Sequence, residues 1–337
     1  MSIILLFIIF FTSESFKIIA PNRKATYITP RMLSTDKPPK LWNTLSSVLK
    51  INARQWFISR AEKLGIDWSN LKEQNVKKMD RLIELKNNFT DYTMTYPEYY
   101  KQPFHGYDSG NLNWLAAVEG EPATLSIALN YWKEMNVAPV VSQDWLRYNI
   151  TSNIKNFLQR NTSSINYPKE ILDIGCSVGI SSEFLYKSFI HSNITGIDLS
   201  PFFVSMAKLR AEELKIPIRY YHQNAENTQF QSNTFDLVTC NFLMHELPED
   251  ATKNILDEIH DKIKSGGVIA ITDLTPATLK NDLFVSQFRR WAFEVTEPHI
   301  YGYYKRDMTL LLQEAGFVDV TQCQNDPLNS VWLASKP

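Results

Sequence analysis

Cysteine is scarce in this chain of 337 residues, where only Cys176, Cys240 and Cys323 occur, an odd number at wide spacings. A disulfide-stapled fold needs paired cysteines, and a structural zinc site needs cysteine or histidine ligands at short intervals. The sequence fits neither pattern. We therefore expect no metal site, no disulfide framework and a reducing compartment.

Neither sign of charge is in excess. Lysine plus arginine number 35 against 36 aspartate plus glutamate, which gives a formal charge of −1 at pH 7. A nucleic-acid-binding domain usually carries a basic patch or stripe, and an even balance does not indicate one. We expect no nucleic-acid partner.

The amino-terminal apolar run is short. Ile3–Phe11 holds nine apolar residues, too few to span a bilayer but enough for the core of a signal peptide. Ser13–Lys40 follows with six lysines and arginines, two acids and many hydroxyl residues. This order predicts a two-part targeting leader over residues 1–40 that directs the protein to a plastid, without a stable membrane span. A mitochondrial or secretory address is the alternative.

Residues 41–160 are predicted to form a mainly helical, aromatic-rich cap and substrate region. Apolar residues at helical spacing indicate helices at Trp42–Ile51, Gln55–Leu64, Val76–Phe89, Pro122–Lys133 and Gln143–Leu158. Between them, Tyr92–Asn113 crowds aromatic residues around prolines and glycines, which is typical of a loop.

Residues 161–337 alternate between strand and helix patterns, which predicts an α/β fold with a doubly wound, mostly parallel sheet. Strands are predicted at 170–175, 193–198, 218–222, 235–241 and 267–273, and helices at 181–190, 201–214, 249–263 and 306–315. Val318–Cys323 and Ser330–Ala334 complete seven strands as an antiparallel hairpin at the end of the sheet.

The most informative segment is Glu-Ile-Leu-Asp-Ile-Gly-Cys-Ser-Val-Gly-Ile-Ser at residues 170–181. A buried strand leads through Gly175 and Gly179 into a helix, and glycine lets the backbone approach a ligand closely. Asp173 stands near the end of this first strand, and Asp198 ends the second. A carboxylate at the second position can accept hydrogen bonds from both hydroxyls of a ribose.

These motifs resemble those of class I S-adenosylmethionine-dependent methyltransferases of the small-molecule methyltransferase-domain group, over about Glu170 to Val320. The resemblance implies a seven-stranded Rossmann-like fold, S-adenosylmethionine as the cofactor and a small-molecule acceptor. It is compatible with a homodimer. The segment Tyr96–Trp114 is also similar to segments of uncharacterised cyanobacterial and algal methyltransferases. Ser177 is a departure, because the most glycine-rich version of the family loop has glycine there.

By the same resemblance, Asp173, Gly175 and Gly179 would border the methionine half of the cofactor. Asp198 would hold the ribose, Ala225 and Glu226 would lie near adenine, and Asn241 would end the strand under the sulfonium. The predicted cofactor residues are Asp173, Gly175, Cys176, Gly179, Asp198, Leu199, Ala225, Glu226 and Asn241.

His245 is the candidate catalytic residue. It follows the fourth strand, where acceptor meets cofactor in this architecture, and the ordinary histidine pKa suits a general base. Alternatively, the run His245-Glu246-Leu247-Pro248 only shapes the entry to the next helix. A base is needed only where the acceptor must lose a proton, which a thioether need not.

Aromatic residues on either side of the domain are predicted to line the acceptor pocket, although packing of the cap is an alternative role for each. The predicted substrate residues are Tyr96, Tyr100, Phe104, His105, Tyr107, Trp114, Phe288, Trp291, Tyr301 and Tyr304.

The sequence thus predicts methyl transfer from S-adenosylmethionine to a small molecule by in-line displacement in an algal-type plastid. The sequence leaves two alternatives for the identity of the acceptor. One is a small sulfur acid of the methylthio-hydroxybutyrate type, methylated on sulfur, and the other is a prenylquinone or pigment-like lipid, methylated on carbon or oxygen. An NAD-dependent oxidoreductase would share the role of Asp198, but the Gly-x-x-x-Gly spacing differs from the dinucleotide pattern. A protein that binds the cofactor without turnover is the remaining alternative.

Overall fold

The computed structural model describes residues 54–55, 57–132, 135–160, 165, 167–276 and 297–337. The predicted leader, the predicted helix Trp42–Ile51 and two predicted substrate residues, Phe288 and Trp291, lie outside the described residues.

Seven strands form one sheet: β1 (Glu170–Ile174), β2 (Asn193–Asp198), β3 (Arg219–His222), β4 (Phe235–Asn241), β5 (Ile263–Leu274), β6 (Val318–Gln324) and β7 (Asn329–Ser335). Their order is β3-β2-β1-β4-β5-β7-β6. The first five strands are parallel, and β7 pairs antiparallel with both β5 and β6. The predicted fold class and the closing hairpin are confirmed.

The strand order reverses between β1 and β4, which are neighbours at the centre of the sheet. In open α/β sheets, ligands bind at the carboxyl ends of the strands where this reversal occurs. The segments after β1, β2, β3 and β4 all leave the sheet at that edge. Topology alone therefore places a candidate site there.

Helices flank the sheet: α6 (Ile180–Ser188) and α7 (Pro201–Leu214) contact β2, α8 (Glu249–Lys262) contacts β5, and α10 (Met308–Glu314) contacts β6 and β7. The short helix α9 (Ile300–Tyr303) precedes α10. Ser200 caps α7 by accepting a hydrogen bond from the backbone N–H of Phe203, and Pro201 occupies its first turn, as the Ser-Pro pair predicts.

The amino-terminal part is helical, with a helix over residues 57–63 followed by α1 (Trp68–Val76), α2 (Met79–Phe89), α3 (Trp114–Val118), α4 (Gly120–Tyr131) and α5 (Pro139–Arg160). One cluster of buried apolar side chains runs from Phe57 and Leu146 in this part to Ile171 and Leu333 in the sheet. The helical part and the sheet therefore share a hydrophobic core.

Helices α1, α3 and α9 were not predicted from the sequence, and β5 begins earlier than predicted. Helix α1 has little apolar periodicity, and it is held by the buried Trp68, whose ring packs edge-on against Phe57 at 5.3 Å. Strand β5 begins at Ile263, four residues before the predicted start, because the pairing register with β4 shifts between Phe235 and Leu237. A shift of this kind absorbs extra residues that no periodicity marks.

Within the described ranges, no helix is both long and apolar enough to cross a bilayer. The same part of the chain holds no group of three histidine, cysteine, aspartate or glutamate residues suited to a metal ion. Cys176, Cys240 and Cys323 are free thiols, the first two buried.

Candidate active site

The turn between β1 and α6 has a left-handed backbone at three residues. Gly175 has φ +66°, Ser177 φ +49° and Gly179 φ +84°. A Cβ at Gly179 would lie 2.7 Å from the hydroxyl of Tyr220 and 3.0 Å from the Cβ of Ala207, so only glycine fits there. Ser177 adopts a left-handed conformation that glycine meets without steric cost.

Asp173 braces the turn from inside the sheet. Its carboxylate accepts hydrogen bonds from Ser182 Oγ at 2.7 Å, Thr239 Oγ1 at 2.8 Å and Asn241 Nδ2 at 3.4 Å. The side chain is buried, and burial raises its pKa above the ordinary aspartate value. These bonds fix the ends of β1 and β4 relative to the start of α6.

Asp198, at the end of β2, anchors the neighbouring backbone. It accepts hydrogen bonds from the backbone N–H of Ser177 at 2.9 Å and of Ser200 at 2.8 Å. Burial raises the pKa of this carboxyl to about 6, although both backbone bonds lower it. The carboxylate therefore joins the glycine turn to the end of the second strand.

A cleft opens at this edge of the sheet, beside the reversal of strand order. Of the predicted cofactor residues, Gly175, Cys176, Asp198, Leu199, Ala225 and Asn241 line it. The other three predicted cofactor residues do not line the cleft. Asp173 and Gly179 shape the glycine turn, and Glu226 accepts hydrogen bonds from Tyr99 and Asn254 at 2.6 and 2.9 Å.

The aromatic segment Tyr92–Asn113 lies across the carboxyl ends of β2 and β3. The hydroxyl of Tyr96 is 3.2 Å from Nε2 of His222, and the ring of Tyr96 stacks on Tyr100 at 6.2 Å. Tyr99 and Tyr100 line the cleft. The segment therefore covers the edge of the sheet where a cofactor would lie.

The other described members of the predicted substrate set do not line the cleft. Tyr107 donates a hydrogen bond to Glu119 at 2.8 Å, Trp114 packs edge-on against Phe202 at 5.0 Å, and Tyr301 packs against Tyr304 at 5.8 Å. Phe104 pairs with Tyr107 across a tight turn whose tip is formed by His105 and Gly106. Tyr96 reaches the edge of the sheet through His222 instead.

His245 is fully buried under the cleft and pairs with Asp273 at the end of β5. Its Nδ1 lies 2.7 Å from Oδ1 of Asp273, and its backbone N–H donates to Oδ2 at 3.1 Å. Burial lowers the pKa of His245, but the Asp273 carboxylate outweighs it, so the net pKa is raised. His245 does not itself line the cleft.

Glu246 lies where the sequence predicted that its neighbour His245 would lie, at the wall of the cleft. It lines the cleft, and its Oε1 lies 4.0 Å from Nε2 of His245 and 3.1 Å from Nε2 of His105. His105 is buried, which holds its pKa below the ordinary histidine value. The aromatic segment and the β4–α8 connection thus meet at one buried carboxylate.

Three residues of this arrangement were missed by the sequence interpretation: Glu246, Asp273 and the buried Arg147 of α5, which also lines the cleft. Asp273 carried a usable signal, because it is a carboxylate at a predicted strand end. Glu246 and Arg147 carried none, since a glutamate before a helix and an arginine inside one are ordinary surface residues.

The cleft fits an adenosine-type cofactor on its own chemistry. Two of its lining residues, Asn111 and Asn241, carry buried side-chain oxygens that accept no hydrogen bond from the described residues. Buried polar atoms are normally satisfied, so these oxygens are available to ligand donors. A Cβ at Gly175 would lie 3.2 Å from Leu243, which also lines the cleft, and this crowding favours glycine here.

Comparisons with known proteins give matches over part of this chain. Residues 171–267 match the family described as "Methyltransferase domain". The ubiquinone biosynthesis O-methyltransferase of Colwellia psychrerythraea is 35% identical over 109 residues, 32% of this chain and 43% of that protein. The mitochondrial enzyme of the same name from Schizosaccharomyces pombe is 26% identical over 189 residues, 54% of this chain and 66% of that protein. The chain thus spans less than two thirds of the length of these two relatives.

Solved structures show weaker likeness. Human N-acetylserotonin methyltransferase in complex with S-adenosylmethionine has a TM-score of 0.44 at 15% identity, over 77% of this chain and 66% of that chain. Haemonchus contortus phosphoethanolamine N-methyltransferase 2 has a TM-score of 0.42 at 16% identity, over 55% and 52%. The sheet order, the glycine turn and the sequence match at residues 171–267 identify this chain as carrying a class I S-adenosylmethionine-dependent methyltransferase domain.

Proposed function

We propose that this protein transfers the methyl group of S-adenosylmethionine to a hydroxyl oxygen of a small aromatic acceptor. The domain match over residues 171–267 supports the donor. The relatives described above are named ubiquinone biosynthesis O-methyltransferases, which supports oxygen as the methylated atom and a hydroxylated ring as the acceptor.

The bound cofactor would supply a methyl group made electrophilic by the positive sulfur. Asp198 would accept hydrogen bonds from the ribose, and Ala225 would lie against the adenine, since both line the cleft after β2 and β3. The turn from Gly175 to Ser177 would border the methionine half. Holding both reactants in line supplies most of the rate in such a transfer.

The observation that carries oxygen as the acceptor atom is an ionised carboxylate beside the cleft: burial raises the pKa of Glu246, but the neighbouring histidines help to hold it below its ordinary value. Glu246 lines the cleft, His245 lies 4.0 Å behind it, and Asp273 holds His245 from the other side at 2.7 Å. A hydroxyl must give up its proton as it gains a methyl group, whereas a thioether has none to lose. A positioned base contributes about 10²–10⁴-fold to such a step.

Aromatic side chains on the cleft wall support an aromatic acceptor. Tyr99, Tyr100 and Phe203 line the cleft from the covering segment and from α7. Flat ring faces bury large apolar area against another ring, and a covered cleft excludes water from the reacting atoms. We propose a phenolic ring of the quinone-precursor type.

The test is a screen of acceptors with the full chain, following release of S-adenosylhomocysteine. We expect release with ortho-dihydroxylated aromatic rings and none with a methylthio-hydroxy acid. Turnover of the thioether alone would overturn oxygen transfer. Tight binding of S-adenosylhomocysteine without turnover of any acceptor in an extract of the source organism would instead favour a binding protein.

We also propose that the protein acts in a plastid, on the strength of the apolar run and basic tract at residues 1–40. A fluorescent fusion carrying residues 1–60, expressed in an alga, should accumulate in plastids. Accumulation in mitochondria or export from the cell would contradict the proposal.

A further inference from the structure

Arg306, in the short connection between α9 and α10, is a buried arginine whose charged group binds three oxygens. The residue is 9% exposed. Its Nη2 donates to the backbone carbonyl of Leu247 at 2.7 Å, and its Nη1 donates to the carbonyl of Met244 at 3.3 Å and to Oγ1 of Thr252 at 2.9 Å. The hydroxyl of Thr252 donates in turn to the carbonyl of Pro248 at 3.2 Å. The acceptors are therefore backbone and hydroxyl oxygens of one segment, and none of the three is a carboxylate.

The segment that Arg306 binds carries Glu246 to the wall of the cleft. It begins with a single 3₁₀ turn, Met244–Glu246, and continues through Leu247 into α8. Arg306 therefore holds one carbonyl at the start of the turn and another directly after Glu246. Glu246 and Leu247 line the cleft and Arg306 does not, so the arginine acts on the cleft only through this segment.

The turn is weakly defined by its own hydrogen bonds. The N–H of Glu246 donates to the carbonyl of Leu243 at 3.0 Å, but the N–H of Leu247 lies 3.5 Å from the carbonyl of Met244. Within the described residues, no side chain caps the turn or the start of α8. Short 3₁₀ turns have poor hydrogen-bond geometry. The path of the backbone therefore depends on groups outside the turn, and Arg306 supplies two charge-assisted bonds, which are stronger than neutral ones.

The support of Arg306 is itself fixed. The hydroxyl of Tyr303, on α9, donates to the carbonyl of Leu274 at the end of β5 at 2.6 Å. Asp307, the next residue along the chain, caps α10 with its side chain. A guanidinium on such a support sets the position of the turn that it binds, because the support does not follow the turn.

The position of Glu246 matters for the proposed reaction. The proton of the acceptor hydroxyl passes to the Glu246 carboxylate as the oxygen gains the methyl group, which requires the carboxylate within hydrogen-bond reach of that hydroxyl. A misplacement of about 1 Å, caused by a change away from the reacting atoms, can cost about 100-fold in rate. Resting on the proposed function, we propose that Arg306 is a positioning residue that fixes the Glu246 carboxylate at the place where it accepts this proton.

Lysine is the substitution that separates position from charge. Arginine presents its donors on a rigid plane, so its two terminal nitrogens hold both carbonyls at once, whereas lysine has a single nitrogen on a flexible stem. Arg306→Lys keeps the charge, and Arg306→Gln removes it. The control is Lys305→Gln, which removes an exposed cation one residue away, 5.9 Å from the centre of the Tyr304 ring.

A double-mutant cycle with Glu246→Gln distinguishes positioning from general stabilisation. We would measure kcat and KM for a hydroxylated aromatic acceptor, the affinity for S-adenosylhomocysteine by calorimetry, and unfolding in urea, all on the full chain. Two residues that act through one another have effects that do not add. A general loss of stability would instead lower kcat by the same factor in either background.

We expect Arg306→Lys to lower kcat about 10- to 100-fold and to change KM and the cofactor affinity less than about threefold. In the Glu246→Gln background, the same change should alter kcat less than about twofold. Arg306→Gln should show the same pattern with a larger fall, and Lys305→Gln should leave all values unchanged. Arg306→Lys keeps the test decisive if Arg306→Gln does not fold.

Equal factors in both backgrounds would overturn the inference, since they would assign Arg306 to fold stability alone. Unchanged kcat in both Arg306 variants would overturn it as well, and so would a loss of cofactor affinity as large as the loss of kcat. If wild type methylated no hydroxylated acceptor, or if Glu246→Gln left kcat unchanged, the proposed function itself would fail and the inference with it. Wild-type turnover that depends on Glu246 but not on Arg306 removes only the role of Arg306.

Discussion

The imidazole Nδ1 of His245 lies 2.7 Å from Oδ1 of Asp273, and both side chains are fully buried beneath the cleft. The pair joins the connection after β4 to the end of β5, two neighbouring strands of the sheet. It supports Glu246 from behind, so the electrostatics of the cleft depend on two residues that do not line it.

The stability of this pair should depend on pH. Asp273 raises the pKa of His245 above its unfolded value of about 6.5 despite burial, so the folded protein holds that proton more tightly. The pair's contribution is therefore complete below about pH 6.5 and is lost as the pH rises through the folded pKa. Asp273→Asn should lower the free energy of unfolding by about 3 kcal/mol at pH 6 and by less at pH 9.

Urea unfolding at both pH values would measure this difference. Asp257→Asn, which changes an exposed aspartate on α8, is the control and should show little effect at either pH. Equal destabilisation by Asp273→Asn at pH 6 and pH 9 would contradict a pair stabilised by protonated His245.

Replacing Glu246 by glutamine should separate chemistry from binding. The change keeps the shape of a cleft-lining side chain but removes the carboxylate beside His245 and His105. We expect kcat for a hydroxylated acceptor to fall about 100-fold, since a positioned base contributes at least that much. The affinity for S-adenosylhomocysteine should stay within about threefold of wild type.

Glu249→Gln is the matched control, because Glu249 lies three residues further on, at the exposed start of α8, where it pairs with Lys253. It should leave kcat unchanged. If Glu246→Gln lost cofactor affinity and kcat together, the carboxylate would be holding the cleft in shape rather than accepting a proton.

Cofactor binding should weaken in mild acid because of Asp198. Burial raises the pKa of its carboxyl to about 6, so protonation below that pH removes the acceptor charge that we propose for the ribose hydroxyls. We expect the affinity for S-adenosylhomocysteine to fall about tenfold between pH 7.5 and pH 5, as the charged fraction falls. Calorimetric titrations across this range would show a midpoint near the Asp198 pKa.

Asp198→Asn provides the comparison. It should bind more weakly than wild type at pH 7.5, by about 1.5–3 kcal/mol, and show a flat profile down to pH 5. A variant that retained the wild-type pH dependence would assign the acid sensitivity to another group.

Two glycines with similar backbones should tolerate alanine differently. Gly179 has φ +84° and would place a Cβ 2.7 Å from the hydroxyl of Tyr220, whereas Gly65 has φ +87° with nothing within 4 Å. Gly65→Ala should cost about 1–2 kcal/mol of stability from the left-handed backbone alone. Gly179→Ala should cost about 1–3 kcal/mol more from overpacking. If both variants lost the same free energy of unfolding in urea, Tyr220 and Ala207 would be able to move away from the added methyl group without an energetic cost.

Much of the fold could be predicted because its signals are local. Most of the parallel strands are short apolar runs, helix α7 begins at its Ser200 cap, and the hairpin after Gly316 is marked by its turn residues. Helix α1 was missed because its stability comes from the packing of Trp68 against Phe57, a contact between residues that no periodicity links.

The residues of the candidate site also differ in whether a local sequence signal marks them. The glycine turn and Asp198 carry their signal in residue type and position at strand ends. Residue type and position do not reveal the direction in which each side chain points. Asp173 points inward because it accepts a hydrogen bond from the hydroxyl of Thr239, which is 66 residues away in the sequence. Tyr107 turns toward Glu119 and Trp114 toward Phe202, so neither aromatic ring reaches the cleft.

The sequence by itself determined the sheet, its closing hairpin and the turn that marks a nucleoside-type site, since hydrophobic period and turn chemistry act between residues close in the chain. Only the tertiary structure decided which buried charges meet. His105 contacts Glu246, Asp273 pairs with His245, and Arg147 donates a hydrogen bond to Ser181. Packing across the edge of the sheet brings each pair together, and no pattern in the sequence marks these contacts.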